Sequence, residues 1–314
     1  MINLEPADRS FTREEIERHR QHQIRLAIDH GSNSLLSDEG ASKKSAHDHR
    51  LCFLVLGSGS KGNAAVIYDQ ITGQGVLIDA GICKRDVFCY SEQGGFDLAN
   101  LKGIFITHAH SDHVKNIGVV VRGLQARGIT VPIYMHERAL MESKELKKAA
   151  EVCETHFIEA GQQFAVGVLD IHVLPTSHDV EASFGFRVEA GSDAIGLLTD
   201  TGIVLPEALS GLRGVRVLGL ESNHDVAMLN SGPYPRMLKE RVLSSRGHLS
   251  NAQAAEALEA LASEELEIVV ALHISENNNT YRLPVETLRR VVERKGASIK
   301  VTCAYQHRPV FITS

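Results

Sequence analysis

Tryptophan is absent from this chain of 314 residues, and the other aromatics are sparse, 10 Phe and 6 Tyr together making up 5% of it. No aromatic-rich stretch offers a stacking platform, so a preference for single-stranded nucleic acid is not expected. Cysteine is scarce too. Cys52, Cys83, Cys89, Cys153 and Cys303 form no C-x-x-C pair, and an odd number suits a reducing compartment better than a disulfide framework. No apolar run reaches the roughly 18 residues of a membrane span, and the acidic N-terminus lacks the apolar core of a secretory signal. A cytoplasmic protein with no membrane partner is expected. Nor is there an excess of positive charge: a net charge of -6 excludes nonspecific attraction of polyanions by a global field. An anionic substrate must be drawn by local metals and a few basic groups.

What the chain does have is 43% hydrophobic residues and 26 glycines, a composition suited to an α/β protein of tight turns and branched aliphatic strands. Residues 1–49 differ from the rest: a charged segment at 13–25 is followed by Gly31-Ser32-Asn33-Ser34 and a polar run at 37–50. They read as a polar extension, partly helical or disordered, before a folded domain over 50–314. The extension's His19, His22, His30, His47 and His49 read as exposed residues rather than as a metal tail.

The densest chemistry lies between Lys102 and His113. Ile104, Phe105, Ile106 and Thr107 predict a buried strand that delivers His108, His110, Asp112 and His113 into the following loop. Three imidazoles and a carboxylate within six residues are costly to bury unless a cation pairs them. Alternation in an extended loop sends His108 and His110 to one side, and a turn at Ser111-Asp112 lets Asp112 and His113 face a neighbouring point. One segment can thus seed two metal positions.

Other predicted strands also end in polar motifs. A strand at 75–80 runs into Asp79-Ala80-Gly81, where Asp79 is expected to accept hydrogen bonds that hold the histidine loop. Strands at 169–174, 194–198, 215–220 and 267–272 lead to His178, Asp200, Glu221-Ser222-Asn223-His224-Asp225 and His273. Strand ends gathered on one edge are how an α/β scaffold builds a site. His108, His110 and His178 would form a three-nitrogen site of the kind catalytic zinc uses, Asp112, His113 and His273 a second, and Asp200 would bridge them. Two divalent ions, zinc first but also manganese with such donors, can share a hydroxide and clamp a substrate's oxygens. With helices predicted at 116–127, 138–150, 226–244, 252–262 and 283–295 and a last strand at 299–305, the strands fall into two runs with helices after each. The expected fold class is α/β, a four-layer αββα sandwich.

Weaker signals surround this set. Gly57-Ser58-Gly59-Ser60-Lys61-Gly62-Asn63 lacks the P-loop pattern and precedes a strand, so it is either a tight turn or the lining of a metal cleft. His224 and His248 are candidates for a proton donor or a phosphate contact. His248 precedes Ser250-Asn251, which can cap the next helix. Ser58, Ser250 and Asn277 are the expected substrate contacts. Lys239, Arg241 and Arg246 either track a nucleic-acid backbone or form a helix's solvated face.

His-Ala-His-Ser-Asp-His from position 108, with His178, Asp200 and His273, resembles the metallo-β-lactamase superfamily, which implies an αββα sandwich with a dinuclear site on its open edge. Further motifs are similar to the YycJ/WalJ branch of DNA exonucleases: the 57–63 loop, Thr199-Asp200-Thr201-Gly202, the 221–225 motif, Gly232-Pro233-Tyr234-Pro235, Gly247-His248-Leu249-Ser250-Asn251 and the 273–278 motif. The likeness runs from Leu51 to the C-terminus. Residues 1–49 and a long stretch at 83–95 depart from it. It implies a metal-dependent phosphodiesterase acting on nucleic acid, DNA before RNA, in which Asp112 orients the hydroxide. An acyl hydrolase acting on a thioester, lactone or lactam with the same metals is the second reading. A non-enzymatic binding protein ranks third, because all seven ligands are present.

Overall fold

Runs of branched aliphatic residues between glycine-rich turns become strands. In the computed structural model, which describes residues 49–313, these are β1 (Leu51–Gly57), β2 (Ala64–Asp69), β3 (Gly75–Ile78), β4 (Leu101–Phe105), β5 (Ile133–Met135), β6 (Thr155–Phe157) and β7 (Gln163–Val166). They continue with β8 (Leu169–Pro175), β9 (Phe184–Ala190), β10 (Asp193–Leu198), β11 (Val217–Glu221), β12 (Ile268–Leu272), β13 (Lys300–Cys303) and β14 (Val310–Ile312). Two seven-stranded sheets result, ordered β14-β1-β2-β3-β4-β5-β6 and β13-β12-β11-β10-β9-β8-β7. In each, one half is antiparallel and the other parallel, β3 to β6 in the first and β10 to β13 in the second. Apart from His49, the polar extension expected over 1–49 lies outside the described residues.

Both faces of the central strands are buried, which explains why they read as continuous apolar runs. In β1, Leu51, Phe53 and Val55 point between the sheets, whereas Cys52, Leu54 and Leu56 point outward to a layer with Val120, Val121 and Leu124 of the helix Ile117–Gln125. In β12, Ile268, Val270 and Leu272 face inward. Val269 and Ala271 pack outward with Leu258 and Leu288 of the helices Asn251–Leu261 and Arg282–Lys295. The order is therefore helix, sheet, sheet, helix, the expected αββα sandwich. At about 25 cal/mol per Å² of apolar surface removed from water, each fully buried Leu, Ile or Phe stabilises this arrangement by about 1.5–3 kcal/mol. Among the described residues no helix is long and apolar enough to cross a membrane.

Several elements differ from the sequence expectation. The helix expected over 138–150 is two, Glu137–Glu142 and Lys144–Ala150, because the Ser143 hydroxyl accepts from the Leu146 N–H at 3.2 Å and starts a new helix. The one expected over 226–244 is split into Val226–Ser231 and Arg236–Leu243 by Gly232-Pro233-Tyr234-Pro235. Two prolines there leave the backbone without N–H donors and bar helical continuation. The long stretch at 83–95 holds the helix Lys84–Gln93. The short strands β6 and β14 carry too few residues to show a period. β14 also leaves the second sheet to pair with β1, as Phe53↔Ile312 shows.

Candidate metal centre

The site forms where strands end. β3 delivers Asp79, β4 Thr107 and His108, β8 His178, β10 Asp200, β11 Glu221 and β12 His273. Asp79, Asp200 and His273 adopt left-handed backbone conformations with φ of 60°, 52° and 52°, and are the non-glycine residues with positive φ among those described. Such a conformation costs of order 1–3 kcal/mol per residue and persists where surrounding structure imposes it, typically at a functional site. Each turns its side chain sharply off the strand into the gap between the sheets' ends. The loop after β4 is not extended throughout: Ser111–Val114 is a single helical turn, with His110 at its N-cap. Gly81 makes room for this turn. A β-carbon at Gly81 would lie 1.6 Å from the Asp112 carbonyl oxygen, which instead accepts from the Asn63 N–H at 2.8 Å.

Donor atoms converge in the groupings expected from the chain. One atom each from His108, His110 and His178 lies within 4.8 Å of the others, as do those of Asp112, His113 and His273, and Asp200 joins His108 and His113 in a third group. Hydrogen bonds on the outer ring nitrogens fix which nitrogen points inward. His178 Nδ1 meets the Gly247 carbonyl at 3.1 Å, and His113 Nδ1 meets Asp79 Oδ2 at 2.7 Å. Their Nε2 atoms are left to face the centre. His178 Nε2 and His108 Nε2 each stand 3.1 Å from His110 Nδ1, an approach of lone pairs that only a proton or a cation makes favourable. Asp79 acts as the chain implied, accepting also from the Thr107 N–H at 2.9 Å and hydroxyl at 2.8 Å. The donor set fits two divalent ions: nitrogens and carboxylates in two clusters with a carboxylate between.

Burial and the neighbouring charges set the protonation of these groups. Burial pushes His108 well below the usual imidazole range. Burial also opposes charge on His273, yet Asp200, Asp112 and Glu221 outweigh it and pull the ring up to about 10. Asp200 is held well below the carboxylate range, because His273 and His113 overcome its burial. The sequence alone gives Glu221 no individual role. It is fully buried, accepts from the Thr201 N–H at 2.9 Å, meets His248 Nδ1 at 2.7 Å and lies 3.3 Å from His273 Nδ1. Against burial, His248 holds it at about 2. Glu221 in return raises His248. Its signal in the chain was a carboxylate at a strand end.

A cavity of about 320 Å³ opens over the donors. His110, Asp112, His178, Asp200, His248 and His273 line it. Four expected contacts do not. Ser58 turns inward and accepts from the His273 N–H at 2.8 Å. Ser250 caps the helix Asn251–Leu261, where its hydroxyl accepts from the Gln253 N–H in a capping box. Asn277 lies outside and donates to the Tyr234 hydroxyl at 3.3 Å. His224 is 0% exposed, and its ring nitrogens have no hydrogen-bond partner among the described residues. It sits in the wall of the fold rather than at the reaction space, because its backbone bridges Ser250. Of the three basic candidates only Arg241 reaches the cavity, bonded to Asp179. Lys239 donates to the Asn230 carbonyl, and Arg246 to those of His178 and Val180.

The β-lactamase superfamily domain model matches residues 75–274, and the chain belongs to that superfamily, in its YycJ/WalJ-like branch. The exodeoxyribonuclease YycJ of Bacillus anthracis is 30% identical over 249 residues, 79% of this chain and 92% of that protein. The exodeoxyribonuclease WalJ of Streptococcus pneumoniae strain D39 is 32% identical over 239 residues, 75% of this chain and 86% of that one. Among solved structures, the metallo-β-lactamase fold protein YhfI of Bacillus subtilis superposes with a TM-score of 0.61 at 18% identity, over 84% of this chain and 100% of the other. The fold and the named relatives make this chain a hydrolase.

Proposed function

We propose that the chain is a metal-dependent phosphodiesterase that removes nucleotides from the ends of DNA. The observation that carries this is the pairing of His248 with the buried Glu221, which sets a candidate proton donor beside two clusters of metal-ligating side chains at one cavity. The exodeoxyribonuclease names of relatives matching 75–79% of the chain supply the substrate class. When bound, two divalent ions, zinc or manganese, supply charge relief for the phosphoryl oxygens and a water that ionises near neutral pH. The seven residues His108, His110, Asp112, His113, His178, Asp200 and His273 would hold them.

The chain's own groups do the rest. Asp112, kept ionised against its burial by His113 and His273, orients the attacking water. His248 has its Nδ1 held by Glu221, which leaves Nε2 to give its proton to the departing alkoxide. Five unpaired cysteines fit a reducing cytoplasm.

Metal-supplemented digestion of end-labelled duplex DNA, beside bis-p-nitrophenyl phosphate, a lactam and a thioester, tests the reading. Wild type should shorten DNA progressively from an end. Asp112→Ala should lose at least about 10²-fold in kcat on both phosphodiesters with an unchanged circular dichroism spectrum. His248→Ala should lose about 10²–10⁴-fold on DNA but far less on the nitrophenyl ester, whose leaving group needs no proton. Turnover of the carbonyl substrates alone would move the chain to the acyl hydrolases.

A further inference from the structure

The cavity has two unlike walls. One is the polar donor set; the other is Tyr234, Leu238 and Val242. In a chain with six tyrosines and no tryptophan, Tyr234 is, among the described residues, the one Phe or Tyr lining this cavity. Its backbone is restrained. Pro233 and Pro235 flank it, and a following proline holds Tyr234 in an extended conformation. Its hydroxyl accepts from Asn277, and the segment before it is pinned to the same turn by the bond from the Asp225 N–H to the Asn278 carbonyl at 2.8 Å. Leu238 and Val242 stand four residues apart on the helix Arg236–Leu243 and so share a face. Arg241, on the same helix, brings a guanidinium fixed by Asp179 to the cavity.

A phosphate at the donor set makes no use of the apolar part of the lining. What an aromatic ring with an aliphatic neighbour and one guanidinium does suit is a flat ring carried on an anionic backbone. We infer that Tyr234, backed by Leu238, is the seat of the nucleobase attached to the phosphate at the donor wall, and that Arg241 faces the adjoining backbone. The inference rests on the phosphodiesterase reading only for the identity of that phosphate. A few hundred Å³ is the scale of one small-molecule group, so the seat takes a single nucleotide, unstacked from its neighbour. Stacking also accepts every base, as an enzyme working inward from an end of any sequence requires.

Calorimetric titration of the metal-loaded protein with deoxyadenosine 5′-monophosphate, deoxyadenosine 3′-monophosphate and base-free 2-deoxyribose 5-phosphate tests this without requiring turnover. Wild type is expected to bind at least one nucleotide about 5- to 150-fold tighter than the base-free sugar phosphate, the range of one base–aromatic stack. Tyr234→Ala should bring the nucleotide down to the sugar phosphate's affinity and leave the latter unchanged. Leu238→Ala should lower it part of the way. Tyr234→Phe, which keeps the ring and loses only the Asn277 bond, should stay within about threefold of wild type. Equal wild-type affinities for both ligand types, or a Tyr234→Ala variant that weakens both alike, overturns the seat. Selective nucleotide binding without DNA hydrolysis would instead sink the exonuclease reading and leave the seat standing.

Discussion

His224 is held neutral by where the fold puts it. Burial away from any hydrogen-bond partner lowers its pKa from 6.5 to about 4, and nearby Glu221 offsets only part of that. On unfolding, the ring regains its ordinary affinity for a proton. Its contribution to stability is therefore complete above pH 6.5 and declines as the pH falls from there toward 4, by up to a few kcal/mol. Replacing it with leucine should flatten that decline. Urea midpoints of wild type and His224→Leu between pH 7.5 and 5 measure the difference, and parallel curves would show that His224 is not the group responsible. The residue stood in a motif rich in polar neighbours, which is why its sequence reads as site chemistry. The backbone bridge to Ser250 and the bonds of Asn223 and Asp225 to Leu249 and Asn278 draw it into the interior.

At the scale of elements, Ser250 illustrates a motif whose local meaning is legible and whose catalytic meaning is not. Its hydroxyl accepts from the Gln253 N–H, and the Gln253 side chain returns to the Ser250 N–H at 2.9 Å. Ser250→Ala should cost about 0.5–2 kcal/mol, seen as an earlier urea midpoint, with KM for DNA unchanged. A large rise in KM with normal stability would return Ser250 to the substrate. The broken helix over 226–244 teaches the complementary lesson. Its apolar spacing suggests one element, but Pro233 and Pro235 divide it, and the division turns Tyr234, Leu238 and Val242 over the donors.

For the whole molecule, the candidate cation centre draws its residues from both sheets. β3 and β4 bring Asp79 and His108 from the first, and β10 and β12 bring Asp200 and His273 from the second. An ion held by His108 from one sheet and Asp200 from the other binds only the folded chain. Loading at about a hundred times Kd stabilises by about 2.7 kcal/mol, which for a domain of this size raises Tm by about 5–10 °C. Chelation should reverse both that shift and the activity, and readdition of zinc or manganese should restore them. A melting temperature indifferent to chelator would argue against ions at this place.

The sandwich, and the residues whose donor atoms converge, were readable in the chain because both leave local marks: an apolar run with no polar alternation marks a strand buried on two faces, and a histidine or aspartate soon after it marks a strand end. Folding alone settled the inward-facing nitrogens of His113 and His178, the pairing of Glu221 with His248, the return of β14 to β1 and the apolar wall at Tyr234. Each depends on left-handed backbone turns at strand ends or on contacts between residues far apart in sequence. Neither leaves a periodic trace in the residues themselves.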